Sequence, residues 1–312
     1  MILYYIILYY IIIMLLTIKV KLFLKLILLF LLSILFKYKN KCKEYFNNNY
    51  KNAIVVLTKG YEHNSDYDML INRNRSIYNK YYIHLNKDKY DIVIFHEGNI
   101  TLPQQEYIQN QTPKLPIIFK EVKLYLNEES NNECPSTGLS NRFSLGYKGM
   151  CHFWSIDFLK YLKDYEYIFR IDEDCIIDNI KDINFIDKYK EKNIYFSSTL
   201  FQGKDHPDVV IGLENLFEIY IKNNNIIPFK SMNSIKCPYT NVMIVNIPYF
   251  NSHNDVINIL KIIDDSNCIF SNRWGDLPIW GYILSVLIDE KYYKEEKDVS
   301  YIHGSHDNVK IN

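Results

Sequence analysis

From residue 51 onward the chain alternates short continuous apolar runs with amphipathic stretches, and few folds accommodate that rhythm. "NAIVVLT" (52–58) reads as a strand buried on both faces. Across 65–82, Leu70, Ile71, Ile77, Tyr78, Tyr81 and Tyr82 recur at helical spacing, and "YDIVIFHE" (90–97) is a second strand. This β-α-β order favours parallel pairing. "PIIF" (116–119) is a third strand, and residues 127–146, with Pro, Gly, Ser and Asn, read as loop. "CHFWSIDFLKYL" (151–162) reads as a helix leading into the strand that opens "YEYIFRIDEDCII" (165–177). "NIYFSS" (193–198) and "NVMIVNI" (241–247) are further strands. Val256, Ile259, Leu260 and Ile263 mark a helix face, and "DLPIWGYILSVLID" (276–289) is another helix. The expectation is one α/β domain without internal repeats.

The strand at 165–171 runs straight into Asp172, Glu173 and Asp174. Adjacent like charges repel and resist burial. Either a cation draws them together or they form a solvated turn. Open parallel sheets bind ligands beyond the carboxyl ends of their strands, which is where these acids fall. An acid-x-acid pair there suits a divalent cation bridging a diphosphate, as a transferase using a nucleotide-sugar requires.

Residues 1–18 carry no charge, Lys19, Lys21 and Lys25 follow, and "LILLFLLSILF" runs to Phe36. Apolar runs of this length read as a membrane anchor, uncleaved because no A-x-A-like site stands near Phe36. The expected division is an anchor over 1–36, a polar stem over 37–50 and a catalytic domain over 51–312. Initiation at Met14 would leave one signal-anchor; a two-span hairpin is the alternative. Lys+Arg and Asp+Glu are both 36, which gives no electrostatic footprint for nucleic acid. The six cysteines show no C-x-x-C spacing, so a zinc ribbon is not indicated, and their pairing is left open. N-x-S/T sequons occur at Asn74, Asn99 and Asn110.

The stretch "YKGMCHFWSIDFLKYLKDYEYIFRIDEDCII" (147–177) resembles glycosyltransferase family 15, the fungal α-1,2-mannosyltransferases. Tyr147, Met150, Cys151, Phe153 and Ser155 match one family segment, and Arg170 and Asp172 match the Arg and Glu of the next, with Glu173 in place of its Pro. "NRWGDLPIWGYIL" (272–284) is similar to the family's Arg-Trp-Gly-Asp block, and "DVSYIH" (298–303) to its Asp-Ile-Gly-Tyr-x-His. The resemblance covers about residues 50–305 in the same order. It implies a GT-A fold with a mixed, mostly parallel sheet flanked by helices. It also implies single-pass type II anchoring in the Golgi and retaining transfer of mannose from GDP-mannose to a mannoside of a glycoprotein glycan. The implied metal is Mn²⁺, held by Asp172 and His303 with Asp174 direct or through water. Carboxylate plus imidazole suits that ion. Arg170, Tyr147 and Asp174 are placed by the nucleotide-sugar, and Asp276, with Arg170, in the catalytic site beside the acceptor. On the residues alone, Asp276 could instead cap the following helix, Arg170 could pair structurally with the acids, and His303 could lie on the surface.

One departure is chemical. In "TNVMI" (240–244), Met243 stands where the family has a Glu discussed as a nucleophile, and a thioether cannot replace a carboxylate there. Same-face attack needs no such nucleophile. A degenerate GT-A domain that binds a glycan or a partner is the alternative. A metal-dependent phosphodiesterase using Asp172 and Asp174 is a further rival, which the charge balance and the anchor disfavour. The family's late His-Cys-Pro is replaced by "GSHD" (304–307), so a disulfide through that Cys is lost.

Overall fold

The computed structural model describes residues 50–127, Cys134 and residues 139–304, together with Phe30 and Ser33. The anchor and stem expected over 1–50 otherwise lie outside the described residues. No helix among the described residues is long and apolar enough to cross a membrane. Residues Lys51–Asn312 form one compact unit.

Its first half is built from β1 (Lys51–Leu57), α1 (Asp68–Lys80), β2 (Tyr90–His96), α2 (Leu102–Gln111) and β3 (Ile117–Glu121). Then come α3 (Leu145–His152), a π-helical turn (Phe153–Asp157), α4 (Phe158–Tyr161), β4 (Tyr165–Ile171) and β5 (Cys175–Ile180). The second half comprises α5 (Phe185–Lys192), β6 (Phe196–Ser198), β7 (Phe201–Gln202), α6 (Leu213–Asn224), β8 (Cys237–Pro238) and β9 (Val242–Asn246). It closes with α7 (Ile247–Ser252), α8 (Asn254–Ser266), α9 (Cys268–Asn272), α10 (Asp276–Leu287), β10 (Tyr293–Glu295) and β11 (Val299–His303).

The main sheet has the order β10-β6-β9-β4-β1-β2-β3. β4, β1, β2 and β3 pair in parallel, and β1 and β2 at the centre of that group are the continuous apolar runs covered on both faces. Ala53 and Val55 enter the core on one face, with α8 and α10. Ile54 joins the core on the other face, with Ile77 of α1 and Phe185 of α5. The sheet is mixed because β9 runs antiparallel between β4 and β6.

Several boundaries differ from those read in the sequence. The stretch 65–82 opens as a 3-10 turn (Asn64–Tyr67) before α1. The helix expected at 151–162 starts earlier, at Leu145, and is interrupted by the π turn. The strand expected from Asn193 begins at Phe196, because Asn193 is the left-handed C-cap of α5 (φ 55°). The Asn74 sequon is closed in the folded chain: its side chain is buried and accepts from Arg73 Nη1 at 2.8 Å. Arg73 itself is fully buried, and its guanidinium donates to the carbonyls of Val55 and Ile171, tying α1 to the ends of β1 and β4.

Candidate active site

The three acids do form a turn. Cys175 N donates to Asp172 O at 3.0 Å, closing four residues between β4 and β5. The carboxylates, however, go to three different partners. Glu173 turns back to the loop after β1, where it accepts from Thr58 Oγ1 and Tyr61 OH. Burial raises its carboxyl above the usual range, against the pull of those two hydroxyls.

Asp172 meets Arg170, two residues earlier on the same face of β4. Arg170 Nε reaches Asp172 Oδ1 at 2.7 Å and Nη2 reaches Oδ2 at 3.0 Å, a bidentate pair. Arg170 Nη1 reaches Asp276 Oδ2 at 2.5 Å. The guanidinium is buried and lies 4.2 Å from the ring centroid of Trp154, which the π turn presents. Burial works against its charge, but the two carboxylates outweigh that and hold it firmly cationic. Burial also lifts Asp172 above the usual range, despite Arg170. Asp276 is the first residue of α10 and Gly275 is its N-cap, so the capping role is not taken by Asp276.

Asp174 meets His303. β5 and β11 pair antiparallel with His303 opposite Cys175, and Gly304 N continues the ladder to Asp174 O at 2.7 Å. His303 Nε2 then stands 3.7 Å from Asp174 Oδ2 and 2.6 Å from the Asn241 amide. His303 is buried, not a surface residue. Asp174, Cys175 and His303 place ligand-type atoms within 4.8 Å of one another. Burial pushes the Cys175 thiol up, and a thiol is a soft ligand beside a carboxylate and an imidazole that suit a harder cation. The donor set that fits a cation is therefore carboxylate plus imidazole, with the Asn241 amide against the same ring nitrogen. That set suits Mn²⁺. Asp172 is not one of those three residues, and both its oxygens accept from Arg170.

Two cavities meet at these acids. One, about 620 Å³, is lined by Thr58, Lys59, Glu97 and Tyr147 as well as Asp172 and Asp174. The other, about 450 Å³, shares Tyr147, Asp172 and Asp174 and adds Gln202, Asp205, Asn241, Arg273, Asp276 and His303. Tyr147 stands at their junction, with Arg273 Nη2 donating to its hydroxyl at 2.7 Å. Burial keeps that phenol protonated. Arg273 Nη1 also pairs with Asp205 Oδ2 at 2.8 Å. Arg273 holds φ at 62°, a left-handed conformation that costs about 1 kcal/mol for a residue with a side chain. Asn241 precedes β9 in the quoted "TNVMI" stretch and could have been singled out there. Asp205 lies in a loop and carried no sequence signal. Met243 is fully buried, opposite Arg170 in the β4–β9 pairing.

No protein-family model matches the chain. In sequence it is 26% identical over 174 residues to a probable mannosyltransferase, MNT3, of Candida albicans, a match spanning 51% of this chain and 44% of that protein. In structure it matches core-mannan synthase A (CmsA/Ktr4) of Aspergillus fumigatus in its Mn/GDP form. The TM-score is 0.69 at 19% identity, covering 81% of this chain and 74% of that one. The mannosyltransferase Ktr4p of S. cerevisiae gives a TM-score of 0.68 at 17% identity, over 81% and 70% of the two chains. The chain has the fold of the fungal mannosyltransferases. The resemblance read from the motifs at 147–177, 272–284 and 298–303 is thereby borne out. The curated relative is about twice the length of the segment it shares, so its activity is not carried over by that match alone.

Proposed function

We propose that this protein is a metal-dependent glycosyltransferase that moves mannose from GDP-mannose to a mannoside. The observation that carries the proposal is the Asp174–His303 pair at the meeting of two cavities. A diphosphate in the first cavity and an acceptor in the second would meet at that pair. A Mn²⁺ ion held by Asp174 and His303 would neutralise the leaving diphosphate. Arg170 keeps Asp172 and Asp276 fixed on either side, so the acids of the two cavities move as one unit. Tyr147 covers the donor at the junction, and Asp276 with Asp205 offers acceptors to sugar hydroxyls.

Because Met243 is sealed in the core, a reaction here uses no group at that position. That supports same-face attack: the sugar C1–O bond to GDP breaks, the acceptor oxygen bonds to C1, and its proton passes to the departing phosphate. The finer reading is α-1,2 transfer in the Golgi lumen from a type II anchor. The apolar runs before Phe36 support the anchor, and the Cys134–Cys268 disulfide supports an oxidising compartment. The bidentate lock of Asp172 onto Arg170 works against a two-carboxylate phosphodiesterase centre.

The test uses the full chain with GDP-mannose, a mannoside acceptor and Mn²⁺, with and without chelator, following GDP release and product mass. Chelator-sensitive transfer is expected. Asp174→Ala and His303→Ala should each lower turnover roughly 100-fold or more. Tight GDP-mannose binding with no transfer to any mannoside would instead favour the binding-protein reading.

A further inference from the structure

The chain enters the compact unit at Lys51, where β1 begins, and the acids stand at the other end of the sheet. Lys51 pairs with Tyr165, Tyr167 with Asn246, Val245 with Phe196, and Phe196 with Tyr293. Those pairs put the start of β10 at the entry end as well. The loop after α6 packs there. Phe229 N donates to Val286 O at 3.1 Å, Lys230 N to Ser285 O at 2.9 Å, and Lys230 Nζ reaches Glu290 Oε1, just before β10, at 3.0 Å. Two of its side chains face out, Ile227 at 88% exposure and Phe229 at 57%, with Pro228 between them also exposed. The loop is pinned behind them. Asn225 caps α6 in the left-handed region (φ 52°), Ile226 N donates back to Ile221 O at 3.0 Å, and the Ile226 side chain packs on the core. Across β1, β2 starts beside Asn52. Just before it lies Ile83, 46% exposed, and a cleft of about 180 Å³ near the start of β3 is lined by Arg75 and Lys114 and by no acid.

We propose that the Ile227–Phe229 loop dips into a lipid surface and sets the domain upright on it, with the active site facing away. This rests on the membrane anchor proposed above and deepens it. The apolar runs at 1–18 and 26–36 are followed by a polar stretch, 37–50, that spans at most about 50 Å when extended. The end of the domain at which that stretch joins β1 is thereby held near the bilayer, and an apolar loop at that end has lipid within reach. Exposed Ile and Phe gain by leaving water, and lipid accepts backbone whose polar groups are already satisfied. Here Asn225, Ile226, Phe229 and Lys230 donate their amides within the protein, and Pro228 has none to donate. Arg75 and Lys114 on the other flank would meet lipid phosphates. β1 is seven residues long, so the acids stand about 20 Å above that surface. The acceptor is then one in the aqueous phase, not one embedded in lipid.

The experiment places the full chain in phosphatidylcholine vesicles, with or without bromine near the headgroup end of the acyl chains, and reads tryptophan emission. Trp154, Trp274 and Trp280 are fully buried, so the wild type supplies the background and a check on folding. Phe229→Trp adds a reporter in the loop. Leu102→Trp adds one at the opposite end, where Leu102 opens α2 and is 73% exposed. Both sites are exposed, so both variants should fold as the wild type does. Bromine should lower the emission added at 229 roughly 2-fold or more and leave that added at 102 unchanged. Equal quenching at the two positions, or none at 229 in vesicles that carry the chain, overturns the loop assignment while leaving the anchor standing. A chain that does not float with the vesicles removes the anchor itself, and the loop assignment with it.

Discussion

His152 shows how charge is buried beside the site without serving it. Its ring lies between Asp157 Oδ2, 3.2 Å from Nδ1, and Asp264 Oδ1, 2.8 Å from Nε2, with Tyr125 and Phe270 close by at centroid distances of 5.0 and 5.7 Å. Burial alone would lower its pKa, but the two carboxylates overrule that and hold it at about 9. A folded pKa above the unfolded value of about 6.5 means the imidazolium stabilises fully below that pH. The contribution is then lost as pH rises through 9. Asp264 is partly exposed, so screening reduces the effect to about 2 kcal/mol. The difference in unfolding free energy between wild type and His152→Gln should therefore be largest near pH 6 and shrink towards pH 9.5, as denaturant titration would show. A difference independent of pH would mean that the ring is neutral and merely packed. The Arg170–Asp172 pair belongs to the same scale and was within reach of sequence, since residues two apart share a strand face. The divergence of Glu173 from its neighbours was not, because it depends on Thr58 and Tyr61, more than a hundred residues earlier.

Among elements, β1, β2 and β4 were legible because strands covered on both faces must be apolar without interruption. The direction of β9 was not, since a period of two reads the same both ways along the chain. β5 escaped notice for a different reason: Asp178 and Asn179 break its apolar run, and its partner β11 lies far along the chain. Yet that pairing brings His303 to Asp174. The extra residue of the π turn was also silent, because apolar spacing over five residues cannot register it. The contact of α10 with β8 is tight enough to test. A Cβ on Gly281 would lie 2.5 Å from Cys237 Sγ and 2.9 Å from Cys237 Cα, and the second of these is backbone that cannot swing aside. Overpacking of this kind costs about 1–3 kcal/mol, more than the helix propensity Ala gains over Gly, about 1 kcal/mol. Gly281→Ala should lower the thermal midpoint by about 2–6 °C. Because β8 leads into Tyr239–Asn241, it should also weaken the Mn²⁺ binding that the proposed function calls for. A midpoint equal to that of the wild type would show that α10 and β8 separate without cost.

At the scale of the whole molecule, the Cys134–Cys268 disulfide is the longest covalent constraint among the described residues, closing a loop of sequence separation 134. Sequence left its pairing open because six scattered cysteines permit many combinations. The structure resolves it by position: Cys151, Cys175 and Cys237 are each buried and unpaired, whereas Cys268 opens α9 against Cys134. Arg273 is the C-cap of α9, and its left-handed conformation sets its guanidinium between Tyr147 and Asp205. The bridge thus restrains the unfolded chain and fixes one wall of the second cavity. Chain entropy for so long a loop gives about 5 kcal/mol, and relaxation of the unfolded state usually trims that to about 3–4 kcal/mol. Replacing both residues by Ser should lower unfolding free energy by about that amount. Reductant should produce the same loss in the wild type and no loss in the double variant. If reductant destabilises the two proteins equally, the bridge is not the constraint. If the double variant keeps its stability but loses acceptor affinity, the bridge acts through the Arg273 wall and not through the unfolded chain.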